Sequence, residues 1–187
     1  MPEQNFLTAP LQHWPVWLLT VTLVVAAFID GYKLKVPNWL TFPLVLLGWA
    51  YGIANGGWAG FCDSLLGSGV GLALLLPAYA IGGMGAGDVK LLAGVGAWVG
   101  AQTTFYAFCV SAIVGGVIAL AMVLARHGWR KHKNQFIAIA HEIVTIGNPQ
   151  ELSAIAAERK SSMLLLPYGI PIAIGTIAYF VWAGMLL

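Results

Sequence analysis

Three aspartates at or near long apolar runs are the residues of this sequence best suited to carry chemistry. Asp30 ends the first apolar run, Asp88 follows a glycine-rich stretch at residues 82–87, and Asp63 lies between two further apolar runs. An ionisable group inside a membrane span costs about 2.5–3.5 kcal/mol on insertion scales, so such a group usually has a function. Two carboxyl groups held close together share one proton, because neighbouring like charges cannot both ionise. The ionised group can take a proton from water and the protonated one can donate to a carbonyl oxygen, which is acid–base hydrolysis without a metal.

The composition indicates that lipid surrounds the elements that position these aspartates. Of the 187 residues, 59% are hydrophobic and only 9% are charged, and the mean hydropathy is +0.83. Soluble domains carry about 25% charged residues. Because only helices and closed barrels span membranes, and each apolar run approaches or exceeds the roughly 20 residues of a spanning helix, we expect an all-α, polytopic membrane protein. Residues 1–187 are expected to form a single membrane-embedded domain. The small net charge of +2 gives no indication of nucleic-acid binding.

The placement of basic residues predicts the topology. They fall in three clusters, at residues 33–35, at Lys90 and in residues 126–160. The positive-inside rule places all three clusters on the cytoplasmic side. Each apolar segment between two clusters must then cross the membrane an even number of times, and turn signals at residues 55–57 and 100–103 divide these segments in two. The pattern predicts about six transmembrane helices, with the N-terminus and the C-terminus outside.

This topology places the three aspartates on two different faces of the membrane. Asp30 and Asp88 lie at the cytoplasmic interface, whereas Asp63 lies at the outer face, where we interpret it as a helix-capping or interfacial residue. The segment from 88 to 100 has 13 residues, or about 20 Å of helix, which is short of the ~30 Å hydrocarbon core. It is expected to be capped by loop residues, to begin in a water-filled cavity or to be re-entrant.

Residues 126–162 form the longest polar segment and are predicted to be a cytoplasmic loop with amphipathic helices. One helix start is indicated at residues 148–151, and apolar residues recur at helical spacing over residues 136–146. This loop either lies on the membrane surface or packs as a connector on the bundle. The four histidines and two cysteines lack metal-ligand spacing, so we expect no metal site and no cofactor.

The glycines before Asp88 have a physical role in a hydrolytic site. Gly85 and Gly87 lack a Cβ atom, which permits unusual backbone angles and the close approach of a substrate strand. On spacing alone, however, Asp30 and Asp88 could equally cap helix ends at the interface. A second alternative is a small ion-coupled transporter or channel with paired carboxylates, which would place them near the bilayer midplane.

Three motifs resemble those of one protease family, the type IV prepilin peptidases. Residues 82–92 read GGMGAGDVKLL and resemble the family's G-x-G-D signature. Residues 30–41 read DGYKLKVPNWLT and resemble its first aspartate, which is followed by a basic residue and an I-P-N-x-L-T-like stretch. Residues 167–171 read PYGIP and resemble its proline–aromatic–glycine turn in the last span. The order of the motifs is that of the family, and the compact length resembles its short branch serving tight-adherence (Flp) pili.

The resemblance implies a membrane aspartic endopeptidase of the bacterial inner membrane, active in pilus biogenesis. Its substrates would be prepilins or pseudopilins, whose positively charged leader is cut on the cytoplasmic side. Carried over by position, Asp30 and Asp88 become the catalytic pair and Gly85 and Gly87 the glycines of the motif. Lys90 stands at the family's lysine position, with an orienting or charge-tuning role. The lipid bilayer and the prepilin are the implied partners.

Two further features of the sequence restrict the activity and the type of protease that we expect. Long members of the family carry an extra cytoplasmic region with paired C-x-x-C motifs and also methylate the new N-terminus; this sequence lacks those cysteines, so N-methyltransferase activity is not expected. Presenilin-type G-x-G-D proteases have Tyr directly before the first aspartate. Here Ile29 occupies that position, which argues against that type.

Overall fold

The computed structural model describes residues 14–80, 83–125 and 167–186, and within these ranges the chain is helical and contains no strand. The helices, in chain order, are α1 (Trp14–Lys33), α2 (Asn38–Ala80), α3 (Ala86–Ala125) and α4 (Gly169–Trp182). The first three are long and apolar enough to cross a membrane, and α4 is a shorter apolar helix. The prediction of an all-α, polytopic membrane protein is therefore confirmed. The number of six spans and the placement of both termini outside stay predictions, as does the single domain.

Helices α2 and α3 each contain a break at a glycine. Gly57 has φ 56° and ψ −136°, and Gly100 has φ 77° and ψ 174°; both φ values favour glycine, which has no Cβ to clash. The breaks fall within the two predicted turns, and they divide α2 and α3 into two arms each. In α2 the arms fold back on each other, since the Trp49 indole N–H donates to the Ser68 hydroxyl across them at 3.0 Å.

The break in α2 makes a testable contribution to stability. Gly57→Ala should destabilise the fold by about 1–3 kcal/mol, the usual cost of forcing a residue with a Cβ into such a backbone region. A Cβ at Gly57 or at Gly56 meets no atom within 4 Å, so Gly56→Ala is a matched control without steric or backbone strain. Unfolding in detergent micelles would measure both variants, and an equal loss in the two would contradict the strained-turn explanation.

The first arm of α3 lies at the centre of the bundle. Every residue from 91 to 97 is buried, and Gly96 packs backbone to backbone against Gly67 of α2, as small residues permit between membrane helices. This arm spans residues 86–99, or about 21 Å. Its shortness, which the sequence left open, has a physical explanation: an arm surrounded by other helices need not match the hydrocarbon thickness.

The outer surface of the bundle is apolar, with aromatic residues near the helix ends. Large exposed hydrophobic side chains occur on all four helices, for example Val21, Leu66, Val117 and Val181. Tyr32 and Trp182 are more than four-fifths exposed at the C-terminal ends of α1 and α4. Tyrosine and tryptophan are enriched at membrane interfaces. This surface is the one expected of a protein whose helices face lipid.

Several predictions lie outside the described residues. The loop 126–162 with its amphipathic helices is among them, as are Gly82 and all four histidines.

Candidate active site

Asp30 lies in the last turn of α1 and faces the interior of the bundle. The buried residues of α1 are Val16, Leu19, Leu23, Ala26 and Asp30. Their three- and four-residue spacing is that of a single helix face. The carboxyl group thus continues the apolar stripe that packs α1 into the bundle, and only 2% of Asp30 is exposed.

The buried Asp30 carboxyl is held by the beginning of α4. The backbone N–H of Gly169 donates to Asp30 Oδ2 at 2.7 Å, and Gly169 is the first residue of α4. The N-terminus of a helix carries partial positive charge and favours an anion. The start of α4 therefore supplies both a donor and a favourable field to the ionised form of Asp30.

The connection after Asp30 brings the start of α3 next to the end of α1. Helix α1 is followed by Leu34, which has a left-handed φ of 51° and donates its N–H to the Asp30 carbonyl at 2.7 Å. The chain then lays Val36 against Gly87, where a Cβ would lie 2.5 Å from the Val36 carbonyl oxygen. Gly87 is thus required for close packing against this connection, a more specific role than the substrate approach that the sequence suggested.

Asp88 lies in the first turn of α3 and is 5% exposed. The N–H of Gly85 donates to Asp88 Oδ2 at 3.2 Å, and a Cβ at Gly85 would lie 3.2 Å from the same oxygen. Like Asp30, Asp88 therefore receives a backbone N–H beside a helix N-terminus. The glycine at 85 lets the backbone come this close to the carboxylate.

The turn at Tyr168 and Gly169 adjoins both aspartates. Gly169 binds Asp30, and Tyr168 lines the same cavity as Met84, which directly precedes the Gly85 that binds Asp88. Two carboxyl groups that are 58 positions apart in sequence are thus gathered at one end of the bundle, around the start of α4.

Lys90 is directed toward the start of α2. Its Nζ donates to Asn38 Oδ1 at 3.1 Å and lies 4.6 Å from the centre of the Phe42 ring, within the range of a cation–π interaction. The side chain therefore ties α3 to α2 beside the site. Its predicted influence on Asp88 stays a prediction.

Asp63 lies away from the other two aspartates. It is exposed on the second arm of α2, six residues after the break at Gly57. Because this arm folds back, Asp63 lies about 20 Å along the helix axis from the site end at Asn38. Among the described residues there is no group of His, Cys, Asp or Glu that could hold a metal ion.

Sequence reasoning assigned no role to Gly169 or Tyr168, although the PYGIP motif was recognised by resemblance. The interaction that matters is donated by a backbone N–H, which every residue except proline possesses. The one usable signal was Pro167, because proline favours the first positions of a helix and leaves the next N–H groups free to donate.

Comparison with known proteins gives one consistent result. The model of the type IV leader peptidase family matches residues 17–120. The chain is 35% identical to the prepilin leader peptidase/N-methyltransferase of Aeromonas salmonicida (strain A449) over 117 residues, which cover 59% of this chain and 40% of the relative. It is 34% identical over 116 residues to the protein of the same name from Neisseria gonorrhoeae, covering 58% and 40%. It is 33% identical over 143 residues to that of Stutzerimonas stutzeri, covering 71% and 49%.

The chain spans two fifths to one half of the length of these curated relatives. No solved structure shows significant similarity to it. The matched region begins within α1 and ends within α3, so it contains both aspartates. Since the family match covers more than half of the 187 residues, the chain belongs to the type IV leader peptidase family.

Proposed function

We propose that this protein is an aspartic endopeptidase of the bacterial inner membrane that removes the leader peptides of type IV-like, Flp-type prepilins on the cytoplasmic face. Asp30 and Asp88 are its catalytic pair. The observation that carries the proposal is that two buried carboxyl groups lie at one end of the bundle, each bound by a backbone N–H beside a helix start. Membership of the family supports the choice of substrate, because the curated relatives are named prepilin leader peptidases.

The pair works by general acid–base catalysis with one shared proton. The ionised carboxylate takes a proton from a water molecule, and the oxygen of that water attacks the scissile carbonyl carbon. The protonated carboxyl donates its proton to the carbonyl oxygen, which gives a neutral tetrahedral diol. The C–N bond then breaks as the leaving nitrogen takes the proton of the protonated carboxyl. A hydroxyl of the diol returns its proton to the other carboxylate, so one shared proton again remains on the pair.

The helix N-termini stabilise the charge of the pair through the cycle. The Gly169 N–H binds Asp30 and the Gly85 N–H binds Asp88, so either carboxyl can carry the negative charge with a backbone donor in place. Because each donor belongs to the backbone at a helix start, it does not have to reorganise as the charge moves. Such preorganised donors are a major source of rate enhancement.

An ion relay is less consistent with this geometry. A transporter or channel of that kind is expected to hold its carboxylates near the bilayer midplane. Here Asp30 is in the last turn of α1 and Asp88 in the first turn of α3. We therefore propose peptide hydrolysis.

Incubation of the purified full chain in liposomes with a tight-adherence prepilin tests the proposal. Mass spectrometry should show two products that result from one cut between leader and mature pilin. An intact prepilin after prolonged incubation with several candidate pilins would count against the proposed function.

The cytoplasmic orientation has its own test. In a Cys62→Ser, Cys109→Ser background, Lys35→Cys should react with a membrane-impermeant maleimide only in inverted vesicles, and Gly56→Cys only in right-side-out cells. Both positions are exposed and they lie at opposite ends of the first arm of α2. The reverse pattern would place the site on the outer face.

A further inference from the structure

A cleft of about 470 Å³ lies between the second arm of α3 and the end of α4 that is remote from the two aspartates. Its lining residues are Tyr106, Cys109, Val110, Ala178, Tyr179 and Trp182. It shares none of them with the cavity that Met84 and Tyr168 line. Tyr179 follows Gly169 by ten residues, or about 15 Å of helix. An occupant of this cleft would therefore lie within the apolar part of the bundle, away from the proposed catalytic pair.

The cleft opens where the packing of α4 on α3 changes. A Cβ on Gly175 would collide with the backbone of Ser111, so the two helices are in backbone contact here, as small residues permit in membranes. About one turn further along α4, the Tyr106 and Tyr179 rings stack with their centroids 5.8 Å apart. A ring stack holds two helices farther apart than a glycine contact does. An unfilled space of this size beside the rings would forfeit dispersion contacts along both helices.

The surface in and around the cleft is suited to a hydrocarbon chain. On α3 the lining is continued at helical spacing by Ile113 and Val117, which are 68% and 63% exposed, and on α4 by Ile174, which is 48% exposed. A polar ligand would lose its hydration on such a surface with few compensating hydrogen bonds. Apolar protein cavities of about 150 Å³ bind benzene. This cleft is about three times as large and leads into an apolar track, so it fits a long chain better than a compact ring.

We propose that this cleft binds one acyl chain of a phospholipid from the membrane leaflet that is remote from the two aspartates. Tyrosine and tryptophan lie where acyl chains meet headgroups, and Trp182, which is 81% exposed at the end of α4, marks that level. The membrane supplies acyl chains in excess, and the bound chain restores the contacts that the ring stack leaves unmade. It thereby completes the packing of α4, the helix whose first residue binds Asp30.

Photo-labelling of the full chain in liposomes tests the proposal. The probe is phosphatidylethanolamine with a diazirine on one acyl chain, and mass spectrometry maps the labelled peptides. Tyr106, Cys109 and Tyr179 should be labelled severalfold more than Val21, which is 61% exposed on α1 and lies nine residues from Asp30, at about the depth of Tyr179. Even labelling of the cleft and of Val21 would overturn the proposal, because the chain would then be ordinary surrounding lipid.

Filling the cleft provides a second measurement. Ala178 is exposed and lines the cleft, so Ala178→Leu should fold and should lower the labelling of Tyr106 and Cys109 severalfold. Ala73→Leu is the matched control, since Ala73 is an exposed alanine of α2 that does not line the cleft, and it should leave the labelling unchanged. Equal labelling of the two variants would contradict an acyl-chain site.

Stability and crosslinking decide what the occupant contributes. Adding phosphatidylethanolamine to the delipidated chain in detergent should raise Tm by at least about 2 °C for the unaltered protein and for Ala73→Leu, but not for Ala178→Leu, because a ligand stabilises only the state that binds it. An equal rise in all three would overturn the site. A Cys109–Cys109 crosslink between two chains in liposomes, in a Cys62→Ser background, would also overturn it, because a second copy would then cover the cleft.

Discussion

Asp30→Asn and Asp88→Asn should each lower kcat/KM for prepilin cleavage by about 10²–10⁴-fold, the range contributed by positioned acid–base groups. Asparagine keeps the shape of the side chain and an oxygen that can accept the N–H of Gly169 or Gly85. It cannot exchange a proton with water. Rates from mass spectrometry and thermal unfolding in detergent would separate loss of chemistry from loss of fold.

The double variant tests whether the two carboxyl groups act as one unit. Because a proton-sharing pair acts as a unit, the two losses should not add, and Asp30→Asn with Asp88→Asn should be about as inactive as either variant alone. Asp63→Asn is the control, since Asp63 is exposed far from the site, and it should leave cleavage nearly intact.

If the two aspartates only capped helix ends, the outcome would be the opposite. Both variants would then retain cleavage and nearly all of their stability, because asparagine caps a helix about as well as aspartate and capping takes no part in proton transfer. The measurement therefore decides between a catalytic pair and two helix-capping residues, the two interpretations that the spacing of the aspartates left open.

Much of the helical framework that positions this site follows from simple sequence patterns. The stripe that buries Asp30 follows helical spacing from Val16 onward, and the breaks at Gly57 and Gly100 fall in segments where glycine and polar residues interrupt apolar runs. These features are local, since each depends on residues within one or two helical turns. Local rules predicted the two breaks, whereas the burial of Asp30 on the stripe was not predicted, although its spacing is local.

The contacts that complete the site are not local. The bond from Gly169 to Asp30 joins residues 139 positions apart, and the approach of Gly87 to Val36 depends on how two helices pack. The central position of the first arm of α3 is likewise a property of the whole bundle. Hydropathy and charge place helices in a membrane, but they do not say which helix is surrounded by the others.

Gly169→Ala should reduce kcat by about 10²-fold with little change in KM. A Cβ at this position would lie 2.9 Å from both Cβ and Oδ2 of Asp30, which is too close for the present geometry. Since Asp30 is buried at the end of a packed helix, the carboxyl must move away from the Gly169 N–H to make room. A misplacement of about 1 Å in a catalytic group costs on the order of 10²-fold in rate.

Gly31→Ala is the matched control for this effect. It adds the same methyl group in the same region, next to Asp30 in sequence, but its Cβ would lie 3.4 Å from the end of the Ile170 side chain, an ordinary contact. We expect it to retain near-normal kcat. If Gly169→Ala lost activity only in proportion to its loss of folded protein, or if both variants were equally slow, Gly169 would be a packing residue rather than the group that positions Asp30. A fall in kcat with substrate binding and thermal stability preserved would identify the start of α4 as the element that holds the first carboxyl in its reactive position.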